Sequence, residues 1–180
     1  TEWGWSCIFL DVDLDGWEDV LVSSGMERDG RDLDVAALLK AIRARGKPSD
    51  AEVLRARAMY PKHADGTLAF RNQHDLTFKE ISADWGFDAK GVCSAMALAD
   101  LDNDGDLDVV VNSLNDPLFI FRNDSPAPRM AVRLKGKPGN TQGIGSRISV
   151  FGGPVPGQSQ EIICGGRYLS CDEAMRVFAA

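Results

Sequence analysis

One arrangement of acidic residues occurs twice in this chain, 89 positions apart. The first copy is Asp11-Val12-Asp13-Leu14-Asp15-Gly16-Trp17-Glu18-Asp19, and the second is Asp100-Leu101-Asp102-Asn103-Asp104-Gly105-Asp106-Leu107-Asp108. Each copy sets carboxylates at loop positions 1, 3, 5 and 9 and glycine at position 6. Like charges this close repel unless a cation offsets them. Both stretches therefore read as tight loops, either closed around a cation or left as solvated acidic turns, and the repeat favours the cation.

A hard divalent cation fits that requirement. Calcium takes about 6–8 oxygen ligands at about 2.3–2.6 Å in flexible geometry, and alternate residues of a loop can aim their oxygens at one centre. The expected ligands are Asp11, Asp13, Asp15, the carbonyl of Trp17, and Asp19 in the first loop. In the second they are Asp100, Asp102, Asp104, the carbonyl of Asp106, and Asp108. Two calcium ions are thus expected, with Gly16 and Gly105 allowing the sharp turn. Magnesium suits the loops less well, because it demands a near-ideal octahedron and keeps its waters. An EF-hand would need a glutamate at position 12 and helices on both sides. Here position 12 is Val22 or Val111. The flanks are Cys7-Ile8-Phe9-Leu10 and Val20-Leu21-Val22 in one copy, Met96-Ala97-Leu98-Ala99 and Val109-Val110-Val111 in the other. Short apolar runs rich in valine read as buried strands, so each loop joins two strands of a hairpin.

Charge points away from nucleic acid as a partner. The net charge is −7, and ten of the 27 acidic residues lie in the two loops. Nucleic-acid binding instead rests on lysine and arginine set against phosphates. No run reaches the roughly 20 apolar residues of a membrane span. The chain starts without methionine and opens on a strand-like run, which reads as an excerpt of a longer protein whose targeting segment lies elsewhere. Calcium loops of moderate affinity suit a calcium-rich exterior, so an extracellular, periplasmic or cell-surface location is expected. The four cysteines fit neither a disulfide scaffold nor a zinc site. Cys7 and Cys93 read as buried apolar residues, and Cys164 and Cys171 leave open a bridge across a hairpin.

Between the loops the pattern changes. Asp34–Arg45 has helical periodicity, Gly46 stops it, and Ser49 with Glu52 forms a capping box for a second helix to about Met59. This helical insertion, about 26–66, is read as a decoration packed on one face. Strands are expected over Leu68–Asn72, Asp75–Ile81 and Leu118–Asn123, with an aromatic turn at Trp85-Gly86-Phe87. Phe70-Arg71-Asn72 returns as Phe121-Arg122-Asn123, so the repeat extends beyond the acids. Repeated β units of this length point to propeller blades. A proline-rich joint at Ser125–Pro128 precedes further short strands over Met130–Leu134, Ser146–Phe151 and Gln160–Cys164, with a loop at Gly152–Gly157. Arg71 and Arg122 read as sheet-edge residues, and His63 and His74 as polar loop residues. Gly143-Ile144-Gly145 lacks the third glycine and the helix of a dinucleotide fingerprint. Trp3, Trp5, Trp17 and Trp85 read either as packing between blades or as a sugar-stacking platform, and packing is the simpler reading.

The acid motif between strands resembles the FG-GAP/VCBS repeats of integrin-α-like β-propellers. The tail, Gly139-Asn140-Thr141-Gln142-Gly143-Ile144-Gly145-Ser146-Arg147-Ile148 with Gly165-Gly166-Arg167-Tyr168-Leu169-Ser170, resembles the ASPIC/UnbV module. The pairing is similar to the cartilage acidic protein family. The resemblance implies a mainly β fold: a partial propeller of about two blades over 1–124, then a small β module over 129–180. It implies a calcium-binding, non-catalytic segment acting in adhesion or in protein or glycan recognition, completed by the remaining blades of a longer parent chain. A non-catalytic part of a secreted propeller enzyme and a dockerin-like partner-binding module are the alternatives. Cys171 departs from the family, which has glutamine after Tyr-Leu-Ser.

Overall fold

The computed structural model describes residues 4–61, 63 and 65–180. The first acidic loop joins β1 (Gly4–Leu10) to β2 (Asp19–Ser24), and the second joins β5 (Cys93–Ala99) to β6 (Asp108–Ser113). Between them lie α1 (Leu33–Arg43), α2 (Asp50–Ala58), β3 (Thr67–Asn72) and β4 (Phe78–Glu80). After them come β7 (Phe119–Phe121), β8 (Arg129–Arg133), β9 (Arg147–Phe151), β10 (Gly157–Glu161) and β11 (Met175–Ala179).

The protein is mainly β, built of small antiparallel sheets. One is the four-stranded meander β1-β2-β3-β4, another the three-stranded β5-β6-β7, and β8 with β11 and β9 with β10 form two ribbons. The two larger sheets share one register. Leu10 pairs with Asp19 across the first hairpin and Ala99 with Asp108 across the second. Val20 then pairs with Phe70, and Val109 with Phe121. The repeated Phe-Arg-Asn phrase thus begins on the third strand of each sheet, at the same height as the end of the acidic loop, with Arg122 and Asn123 just past the end of β7.

Alternation along the strands sets the core, since successive side chains point to opposite faces. Ser6 and Ile8 turn inward from β1 while Cys7 and Phe9 stay exposed. Ile8, Leu21 and Ala69 meet Met96, Leu98, Val109 and Val111 of the second sheet. Met175, Val177 and Ala179 of β11 join the same cluster, so the tail shares the core of the sheets.

Three expectations need correction, and one strand was not anticipated. Cys93 is fully buried, but Cys7 is exposed, because its odd position in β1 turns it to the outer face. The helical pair does not pack down on a sheet: α1 has no buried residue and α2 only Ala56. The strand expected over Gln160–Cys164 lies earlier, at Gly157–Glu161, in register with β9. Finally, β11 is a strand that periodicity hides, since all five of its residues are buried and Arg176 breaks the apolar run. The Arg176 guanidinium is satisfied by the carbonyls of Glu161 and Met175 at 2.9 and 2.6 Å. The helix ends follow the sequence: Ser49 and Glu52 form the capping box, and Asp32 caps α1.

Candidate metal centre

Each loop is wound by its own carboxylates. Asp11 accepts the backbone N–H groups of Asp15 and Gly16 at 3.0 and 2.8 Å. Asp100 accepts that of Asp104 at 3.1 Å. The position-5 residues, Asp15 and Asp104, take the N–H of Trp17 and of Asp106 at 2.9 and 3.1 Å. Leu14 and Asn103 have φ of 58° and 63°, and Gly16 and Gly105 both have φ of 95°. Two loops so far apart in sequence thus adopt one backbone path. The left-handed turn at position 6 is why glycine stands there.

That path gathers Asp11, Asp13 and Asp15 in one group and Asp100, Asp102 and Asp104 in another, with ligand oxygens inside each group all within 4.8 Å of one another. Two oxygens on opposite sides of a calcium ion at about 2.3–2.6 Å stand about 4.6–5.2 Å apart, so each group can share one such ion. The position-9 residues serve the scaffold. Asp19 accepts the N–H of Val12 and of Asn72 at 3.0 and 2.9 Å. Asp108 accepts those of Leu101 and Asn123 at 2.9 and 2.8 Å. Each therefore ties its loop to the asparagine of the Phe-Arg-Asn phrase, and both are 1% exposed.

Unmet electrostatic demand remains. Burial pushes Asp11 up to about 6, Asp19 to about 7 and Asp106 to about 7, and also raises Asp13. Asp13 Oδ1 and both carboxylate oxygens of Asp106 are buried without a hydrogen bond. Arginine and histidine side chains approach the two loops. Arg71 lies 2.7 Å from Asp13 and 3.5 Å from Asp15. His74, stacked on Trp17, reaches Asp15 at 2.8 Å. Around the second loop, Arg129 stands 3.0 Å from Asp104 and 3.3 Å from Asp106 Oδ2, without hydrogen-bond geometry in the latter contact. Arg133 lies 3.8 Å from Asp100, and Arg122 lies 4.0 Å from Asp102.

Residues 50–111 match the family model of the FG-GAP-like repeat. The match runs from α2 through β3, β4 and β5 and across the second acidic loop into β6. No curated protein and no solved structure matches the chain.

Sequence reasoning found the triads and missed part of their surroundings. It assigned Asp106 only a carbonyl role, whereas the side chain itself is buried beside the loop. It treated Arg71 and His74 as edge and loop residues, although both face the first triad. The repeated Phe-Arg-Asn phrase was the available signal, since it recurs with the acids. His63 pairs with Asp65 at 2.9 Å. The tryptophans form no common platform among the described residues. Trp5 donates to the Gly25 carbonyl and meets the Tyr168 ring at a tilt, Trp17 lies on His74, and Trp85 packs against the core. Trp3 lies outside the described residues.

Proposed function

We propose that this chain is a calcium-binding, non-catalytic β-propeller segment that works in extracellular adhesion or recognition. The carrying observation is that two loops, 89 positions apart, bring acids at positions 1, 3 and 5 within reach of one ion by the same backbone path. Asp13 Oδ1, buried without a hydrogen bond inside the first triad, supplies a second argument, because a buried acceptor normally has a partner. The FG-GAP-like match over the second loop supports the same reading. On this proposal β1–β4 and β5–β7 are two blades, residues 129–180 are an ASPIC/UnbV-like module, and further blades of a parent chain complete the ring. Calcium's role is structural: it offsets the clustered charge and stabilises the folded state by mass action. The recognised partner is an extracellular protein or glycan.

Calorimetry on the chelator-stripped chain tests this. Two calcium ions are expected to bind near millimolar concentration or tighter. At tenfold excess over Kd each site adds about 1.4 kcal/mol, a rise of roughly 3–5 °C in Tm for a chain this long. No binding at millimolar calcium, with an unchanged Tm, overturns the proposal.

A further inference from the structure

We propose that Cys164 and Cys171 are an oxidisable pair, and that closing it into a disulfide staples the C-terminal strands to the edge of β5. The two Sγ atoms stand 3.8 Å apart and both residues are exposed. A disulfide bond is about 2.0 Å long, so the sulfurs need to close by about 2 Å. The turn between them is already folded. Gly165 and Gly166 have φ of 85° and 82°, and Arg167 and Ser170 form a β-bridge. The Gly165 N–H donates to Cys171 Sγ at 3.2 Å and holds that sulfur beside Cys164.

The segment from Ser170 to Glu173 gives the bond its consequence. Ser170 Oγ donates to the Met96 carbonyl at 2.5 Å. Leu98 N–H donates to Asp172 Oδ1 at 3.1 Å, and Glu173 N–H donates to the Leu98 carbonyl at 2.8 Å. Asp100 N–H donates to Glu173 Oε2 at 3.1 Å. Asp172 is itself fixed by Arg167 from inside the turn, at 2.7 Å. Ser170, Asp172 and Glu173 thus cover the free edge of β5, and the bridge would reduce the chain's freedom there. Cys93 is buried and Cys7 faces out from β1, which leaves Cys164 and Cys171 as the pair set side by side.

The oxidant class is a small-molecule disulfide. One of the two thiols, deprotonated, attacks one sulfur of the small disulfide, whose S–S bond breaks and releases one thiolate. The other cysteine then loses its proton and attacks the protein sulfur of that mixed disulfide, releasing the second thiolate as the protein bond forms. Two electrons pass from the protein sulfurs to the small disulfide, and the two thiol protons end on the released thiols.

The test uses the full chain in chelator, so that failure of the calcium reading cannot disguise the result. Reduced protein is equilibrated across ratios of oxidised to reduced glutathione, then characterised by peptide mapping, calorimetry and amide exchange. Expected are a linked peptide joining Cys164 to Cys171, a Tm higher by about 5 °C, and exchange at Leu98 and Asp100 slowed several-fold, all reversed by dithiothreitol. The C164S/C171S variant should lose the oxidation-dependent rise. Lasting glutathione adducts without closure, closure that leaves exchange at Leu98 and Asp100 unchanged, or a rise retained in the double variant would each overturn the proposal. The wild-type measurements decide the matter even if that variant folds poorly.

Discussion

At the scale of single residues, the decisive quantity is the cost of burying carboxylates. Asp11, Asp19 and Asp106 are held protonated up to about 6, about 7 and about 7 because burial disfavours their charged forms. A raised folded-state pKa means that the native chain keeps protons which the unfolded chain has already released. Its stability then falls as pH rises, from about 4, where the unfolded carboxylates titrate, to about 7, and levels off above. The metal-free protein is therefore expected to melt at a higher temperature at pH 5 than at pH 8. Saturating calcium should flatten that slope, because the ion needs Asp11 deprotonated and its charge disfavours protons on the neighbouring acids. Thermal scans across pH with chelator and with calcium provide the comparison. An upward slope in chelator would contradict the burial argument.

At the scale of the loop and hairpin, the acids divide into two kinds. Asp13 and Asp102 accept backbone N–H groups only from inside their own loops, whereas Asp19 and Asp108 each hold two and reach the third strand. Asp13→Ala is expected to remove one calcium site and leave the metal-free Tm nearly unchanged. Asp19→Ala should destabilise the metal-free chain by roughly 1–3 kcal/mol for each amide it orphans. Urea unfolding in chelator at pH 5, where little buried charge is relieved, separates the two. The glycines divide as well. Gly16→Ala would force an unfavourable backbone angle and drive Cβ to 2.8 Å from Val155 Cγ1, whereas in Gly105→Ala the nearest atom is Arg129 Nε at 3.8 Å. Both should lose about 1–3 kcal/mol to backbone strain, with a further steric loss only at Gly16. Equal losses in denaturant titration would show that Val155 moves aside freely.

At the scale of the whole molecule, the helical pair and the tail play opposite parts. The helices bury only Ala56, and the chain on either side of them is already closed by Asp29 N–H donating to the Pro61 carbonyl at 2.8 Å and by the Met26–His63 bridge. Replacing residues 33–58 by a short glycine–serine linker is expected to move Tm by no more than about 2 °C and to spare calcium binding. A collapse of the fold would mean that the insertion carries more than its burial shows. The tail is integral instead. Met175, Val177 and Ala179 lie in the shared core, Val155 approaches Gly16, and Arg129 and Arg133 reach the second triad.

The hairpins, the acid triads and the helix caps were legible in the sequence, because each depends on residues close together in the chain. A nine-residue loop with glycine at its turn sets its own backbone, and a capping box closes within one helical turn. The burial of β11, the exposure of Cys7, and the approach of Arg71, His74 and Arg129 to the acids were not. Most of these join segments tens of residues apart, and in each case the sequence names the chemical groups without their neighbours. Local electrostatics and turn geometry wrote the loops into the chain. Packing of one sheet and the tail against the other decided which charges face them and which strands share the core.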